Sequence, residues 1–280
     1  MLNIGWFSTG RDKAARQLLQ AVWQSISSGE IKAYISFVFS NREPGEAGES
    51  DLFFKLVRSY NLPLVCLSHR KFKSGPLERD SSVASLPRND RKRTARNNIP
   101  PGAEKDWRIK YDREVITRTE KFSPDLGVLA GYMLIMGEEM CRRYNMINLH
   151  PAPPGGPAGS WQEVMRQLIE NKAERGGAMM HLVTPELDRG PAVSYCLFPL
   201  RGKPFDRYWQ QNDKEMLFKL IRRHELAREF PLIISTLRAL GERQINIRDG
   251  RVTDGGGNPI AGSDLSQEVE RAVEAGQLWA

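Results

Sequence analysis

Hydrophobic positions along the chain alternate between two periods. Residues 3–8 form a short apolar run, and residues 11–26 carry apolar side chains at helical spacing (Ala15, Leu18, Leu19, Val22). Residues 33–39 are β-branched and aromatic enough for a buried strand. A Gly- and Glu-rich stretch at 41–50 reads as a loop, 51–60 as a helix and 64–67 as the next strand. Strands and helices alternating at these lengths predict an α/β fold, a mostly parallel twisted sheet with helices on both faces.

The alternation stops between residues 68 and 106, where the sequence is polar, rich in Arg, Ser and Pro, and without sustained periodicity. Loops of that length inside a compact domain are functional or disordered. The pattern resumes with a helix over 107–122, ended by Pro124, a strand over 126–130 and a helix over 137–144. A further strand ends at Ile147-Asn148-Leu149-His150, followed by the Pro/Gly segment PAPPGGPAG at 151–159. Ser160 and Glu163 then fit a capping box opening a helix to about residue 171. Strands are expected at 178–183 and 193–198, around a turn at 185–191, and two helices at 213–228 and 231–240. Asp249-Gly250 suggests a hairpin within 247–260, and residues after Asp264 suit a short helix. The main domain is accordingly set at 1–264, with 69–106 as a basic inserted loop and 265–280 as a C-terminal extension.

Composition adds little until it is located. Hydrophobic residues make up 40% of the 280 and charged residues 27%, as in ordinary globular proteins. No run of eighteen apolar residues predicts a membrane span. The opening MLNIGWFSTG lacks the basic stretch of a secretory signal, so a cytoplasmic location is expected. Cys66, Cys141 and Cys196 lie far apart and pair in no metal or disulfide motif, and no metal is expected. The net charge of +7 suggests nucleic acid until it is mapped: nine basic and three acidic residues between Arg70 and Arg96 carry nearly all of it. The basicity is therefore one local feature and not the character of the surface, and a nucleic-acid partner is not expected.

The candidate chemistry begins at Asn148 and His150. On a strand these two positions project to the same side, while Leu149 faces the other. They lie at the carboxyl end of a parallel strand, where open α/β sheets place ligands. Taken alone, a histidine bonding a nearby loop and an asparagine capping a strand end would explain them equally well. Asp188 changes the weighting, because a carboxylate in a tight turn between apolar strands needs a partner or solvent. An amide, an imidazole and a carboxylate are the groups that acyl transfer to an amine needs: donors for a developing oxyanion and a route for the amine proton.

The stretch INLHPAPP at 147–154, with RQLIENKAERGGAMMHLVTPELDRGP at 166–191, resembles the glycinamide ribonucleotide formyltransferase family. VLAGYM at 128–133 and FSNRE at 39–43 are similar to further blocks of that family, in the same order. The resemblance covers about 200 residues, up to about Leu240 and apart from the segment after Ser68. It implies a seven-stranded, Rossmann-like formyltransferase fold, 10-formyltetrahydrofolate as formyl donor, and Asn148, His150 and Asp188 as the catalytic trio. It further implies a donor site at Arg108, Leu134, Ile135 and Met136, and it leaves a homodimer open.

The chain departs from the family on the acceptor side. The family's first loop is a Gly/Ser/Asn-rich turn that holds a phosphate at a helix N-terminus. Here it reads Gly10-Arg11-Asp12-Lys13, one glycine with two cations and a carboxylate. The family's lysine and glutamate on the C-terminal helices are not clearly matched, and Arg223 is the nearest basic candidate. The expected acceptor is a small phosphorylated primary amine, glycinamide ribonucleotide by default. An amino sugar nucleotide, methionyl-tRNA, or a non-catalytic folate- or nucleic-acid-binding role remain alternatives. Only about 40 residues follow the core, which is too few for the extra RNA-binding domain expected of a methionyl-tRNA enzyme.

Overall fold

The computed structural model describes residues 1–74 and 103–276, with the side chains of residues 103–106 left aside. The chain opens with β1 (Leu2–Phe7), α1 (Lys13–Ser27), β2 (Ala33–Ser40), α2 (Gly48–Ser59) and β3 (Leu64–Cys66), the alternation its periodicity predicts. Then come α3 (His69–Lys73), α4 (Ala103–Thr119), β4 (Leu126–Leu129), α5 (Glu138–Arg143) and β5 (Met146–His150). The remainder is α6 (Trp161–Glu170), β6 (Arg175–Leu182), β7 (Ala192–Pro199), α7 (Asp206–Gln210), α8 (Lys214–Gly241), the hairpin β8 (Ile245–Arg248) and β9 (Arg251–Asp254), β10 (Ser263–Asp264) and α9 (Ser266–Glu274).

The main sheet runs β10-β7-β6-β5-β4-β1-β2-β3. All pairs are parallel except β5 with β6 and β6 with β7. Its strands are buried on both faces, by one core that includes α1, α2 and α8 and a second that includes α4 and α5. A third cluster joins α6 and the first half of α8 to the far end of β7. The seven strands implied by resemblance become eight in the main sheet of the described residues, because Ser263 and Asp264 pair with β7 as β10.

Three expectations change. The helices expected at 213–228 and 231–240 are one helix, α8, with Pro231 in its interior. Proline disfavours a helix interior by about 3 kcal/mol. Burial outweighs it, at roughly 1.5–3 kcal/mol per large apolar side chain: Leu217, Leu220 and Ile221 pack on α6, while Phe230, Leu232 and Ile233 pack on the sheet. The inserted loop expected at 69–106 is helical at both ends, in α3 and α4, and residues 75–102 lie outside the described residues. Phe72 stands edge-on to Tyr111 at 5.3 Å, which ties α3 to the body. The expected extension from residue 265 is docked: Val269 of α9 is fully buried in the main core, and Arg228 of α8 grips Glu270 at 2.6–3.0 Å.

Candidate active site

Asn148 and His150 project from the carboxyl end of β5, while Leu149 packs on the main core. The antiparallel β6 places His181 directly across from Asn148. Asn148 Nδ2 lies 3.1 Å from His181 Nε2 and 3.4 Å from Asp188 Oδ1, so both amide hydrogens have partners in the chain. His181 Nδ1 donates to the Leu182 carbonyl at 2.8 Å, which leaves Nε2 as the acceptor for Asn148. From sequence alone His181 is a strand residue packing near the site. Structurally it orients the Asn148 amide, and the signal for this is its cross-strand register with Asn148, which no single sequence displays.

Asp188 occupies a left-handed backbone conformation (φ 53°) in the turn between β6 and β7, and its side chain is 7% exposed. Its Oδ2 accepts the Gly159 amide at 3.0 Å and lies 3.5 Å from His150 Nδ1; its Oδ1 lies 3.5 Å from His181 Nε2. Burial alone would raise its pKa, but the His181 ring, the Gly159 amide and the His150 ring hold it below the ordinary aspartate value. Burial pushes His150 below the ordinary histidine value, against the Pro157 carbonyl and Asp188, which favour the charged ring. At neutral pH the trio is thus a neutral imidazole beside an ionised carboxylate.

The trio lines a cleft of about 330 Å³, whose other lining residues divide by chemistry into an apolar arm and a charged arm. One arm is apolar and includes Leu134, Ile135, Met136, Val183 and Leu187. Arg108 reaches the Ile135 carbonyl through Nη1 at 2.5 Å and its guanidinium stacks on Trp107, so it braces that arm from the neighbouring hollow. Buried Asp112 packs against Gly137, next to Met136 of that arm. A Cβ at Gly137 would fall 2.0 Å from its Oδ2, so a side chain there would have to displace the carboxylate.

The other arm is charged: Arg11, Asp12, Glu163, Arg222 and Glu229 line it, with Trp161. Asp12 is the N-cap of α1, its Oδ1 accepting the Ala15 amide at 2.9 Å and its Oδ2 facing Arg11 Nε at 3.5 Å. Gly10 and exposed Lys13 do not line the cleft. Gly10 has φ 62°, and a Cβ there would press on the Phe53 ring at 2.7 Å, so its role is to turn the backbone. Arg223 is exposed and outside the cleft; one position earlier on α8, Arg222 faces it instead, a rotation of about 100° that only helix phase decides. Arg222 Nη1 holds Glu229 Oε1 at 2.7 Å and also Glu225, and it stacks on Trp161. Among the described residues, no group of acidic, histidine and cysteine side chains is arranged to hold a metal ion.

Comparison with known proteins finds relatives of this chain. Phosphoribosylglycinamide formyltransferase of Escherichia coli K12 is 36% identical over 97 residues, 34% of this chain and 45% of that protein. Formyltetrahydrofolate deformylase of Haemophilus influenzae is 30% identical over 110 residues, 38% of this chain and 39% of that protein. The chain spans about half the length of the curated relatives it matches. Among solved structures, phosphoribosylglycinamide formyltransferase of Coxiella burnetii superposes with a TM-score of 0.66 at 18% identity, over 94% of this chain and 98% of that one. A formyltetrahydrofolate deformylase of Pseudomonas syringae does so at 0.60 and 18% identity, over 90% and 65%. These two share the fold. The model of the formyl transferase family matches residues 13–196 of the 280, from α1 through the turn that carries Asp188 into β7, and the chain belongs to that family.

Proposed function

We propose that this chain transfers a formyl group from 10-formyltetrahydrofolate to a primary amine, with glycinamide ribonucleotide as acceptor, a reaction of purine biosynthesis. The observation that carries the reading is the convergence of Asn148, His150 and Asp188 in a cleft lined by both apolar and charged side chains. Family membership and the names of the relatives support it. The apolar arm suits the flat, partly apolar ring system of a folate, with Leu134, Ile135 and Met136 along it and Arg108 behind it. The charged arm suits a polar amine.

In this reading Asn148 gives up its long 3.4 Å contact to Asp188 and donates that hydrogen to the oxygen that gains charge at the formyl carbon. His181 keeps the other hydrogen and so keeps the amide in place. The amine nitrogen bonds to the formyl carbon while the proton it loses passes, directly or through water, to ionised Asp188 and on to His150 Nδ1, and the charged ring supplies the second donor. The bond from the formyl carbon to the folate nitrogen then breaks, and that nitrogen takes the proton. Such donors are each worth about 10²–10³ in rate.

One observation favours a second acceptor. The N-terminus of α1, where the related enzymes' loop would place a phosphate, is taken by the chain's own carboxylate, Asp12. That suits an acceptor without a phosphate at this point, water included, as in deformylation. A formyl-transfer assay with glycinamide ribonucleotide, with a panel of other amines and with no amine separates the readings. Formyl transfer that requires the ribonucleotide supports the first. Formate release at the same rate without any amine overturns it.

A further inference from the structure

The Pro/Gly segment between β5 and α6 reaches both ionisable members of the trio through its backbone. The Pro157 carbonyl lies 2.8 Å from His150 Nε2, and the Gly159 amide donates to Asp188 Oδ2 at 3.0 Å. A turn closed by Gly156 N–H to the Pro153 carbonyl at 2.9 Å shapes the loop. Gly159 has φ 110°, where a Cβ would also meet Glu163 Oε2 at 2.7 Å, and Ser160 after it begins the capping box of α6. The loop is therefore anchored at its far end and has little freedom to drift.

We infer that this loop sets the tautomer of His150 and makes Nδ1 its working nitrogen. Both partners of the ring only accept, but the Pro157 carbonyl is at hydrogen-bond distance (2.8 Å) and the Asp188 carboxylate is not (3.5 Å), so the hydrogen of the neutral ring resides on Nε2 and the lone pair on Nδ1. Nδ1 is the atom that faces Asp188, at 3.5 Å. A proton gained by His150 forms its N–H bond at Nδ1, beside the carboxylate that stabilises it, and Nε2 stays on the loop. His181 is the reverse: the Leu182 carbonyl takes Nδ1–H, and Nε2 accepts from Asn148. Two rings with centroids 6.0 Å apart thus hold opposite neutral tautomers. The charged or titratable groups acting on His150 are Asp188, His181 and, from α8, Glu229. Pro157 and Gly159 are positioning residues. The assignment of Nδ1 as a catalytic atom rests on the formyl-transfer reading, whereas the tautomers do not.

Long-range proton–nitrogen correlation spectra of histidine-labelled protein, at about pH 8, test the inference. His150→Gln and His181→Gln variants assign the signals. The expected result is Nε2–H for His150 and Nδ1–H for His181. Deleting Gly155 and Gly156 moves the Pro157 carbonyl. His150 should then show mixed tautomers while His181 keeps its own. Because the carbonyl favours the charged ring, the acid limb of kcat/KM should move to lower pH, by roughly half a unit or more. The value of kcat should fall about tenfold or more. An Nδ1–H signal for His150 in the full chain overturns the inference, as does a folded deletion variant with unchanged tautomer and pH profile. Should the deletion prevent folding, the full-chain spectrum decides. A chain with the expected tautomers that transfers no formyl group would overturn the functional reading and leave the tautomers standing.

Discussion

Asp188 touches every other member of the site and is also the most strained of them. A non-glycine residue at φ 53° costs of order 1 kcal/mol, and here the contacts to Gly159, Asn148 and the two histidines compensate. His150→Ala and Asp188→Asn should each lower kcat by at least about 10²-fold, with folding retained because both face a cleft. Near-normal turnover in either variant, with the true acceptor, would contradict the mechanism. The folded pKa of Asp188 is depressed, so its stabilising contribution is present above the unfolded value and lost as pH falls through the folded one. Denaturant titrations should therefore show a shallower acid-side loss of stability, below about pH 4, in Asp188→Asn than in the wild type. In the charged part of the lining, Asp12→Asn keeps an N-cap but removes the charge. If the acceptor carries a phosphate, its KM should fall severalfold while folate affinity stays constant. A KM that rises instead would mean that Asp12 itself recognises the acceptor.

Among the elements, α8 shows most directly how burial and charge compete. Its residues 222, 225 and 229 share one face, and a single guanidinium serves two carboxylates, one of them fully buried. Burial and the neighbouring Glu229, only partly offset by Arg222, raise the Glu225 pKa well above the ordinary glutamate value. The stability of this neutral form is fully present below the unfolded pKa and is lost as pH rises through the folded one. Glu225→Gln should thus match the wild type near about pH 4.5 and melt higher at about pH 8, by about 2–4 °C. Scanning calorimetry at both values checks this. A less stable variant at the higher pH would mean that an ionised Glu225 holds Arg222 in place. The strands β1 to β7, the Ser160–Glu163 capping box and the Asp249-Gly250 hairpin were legible because each is a local pattern. The continuity of α8 through Pro231 was not, since the burial that overrides the proline involves side chains distant in sequence.

For the whole molecule, the C-terminal segment decides how the sheet ends. β10 covers the edge of β7, Val269 fills the main core, and Glu270 neutralises Arg228, whose side chain is 7% exposed. Ending the chain after Gly262 should lower the melting temperature by several degrees, because a buried cation left without its partner costs about 3–5 kcal/mol. It should also promote association through the bared strand. Calorimetry with light scattering tests both, and an unchanged melting temperature would mean that α9 merely rests on the body. Sequence alone determined the strand–helix alternation, the placement of Asn148 and His150 on one side of β5, and the candidacy of Asp188, since periodicity and residue chemistry are local. Tertiary structure decided that His181 joins the trio, that Arg222 and not Arg223 faces the cleft, and that Asp12 seals the helix terminus a phosphate would need. It also decided that the Pro/Gly loop holds His150. Each of these depends on strand register, helix phase or a loop's path, which are set by the packing of the folded chain and not by neighbours in sequence.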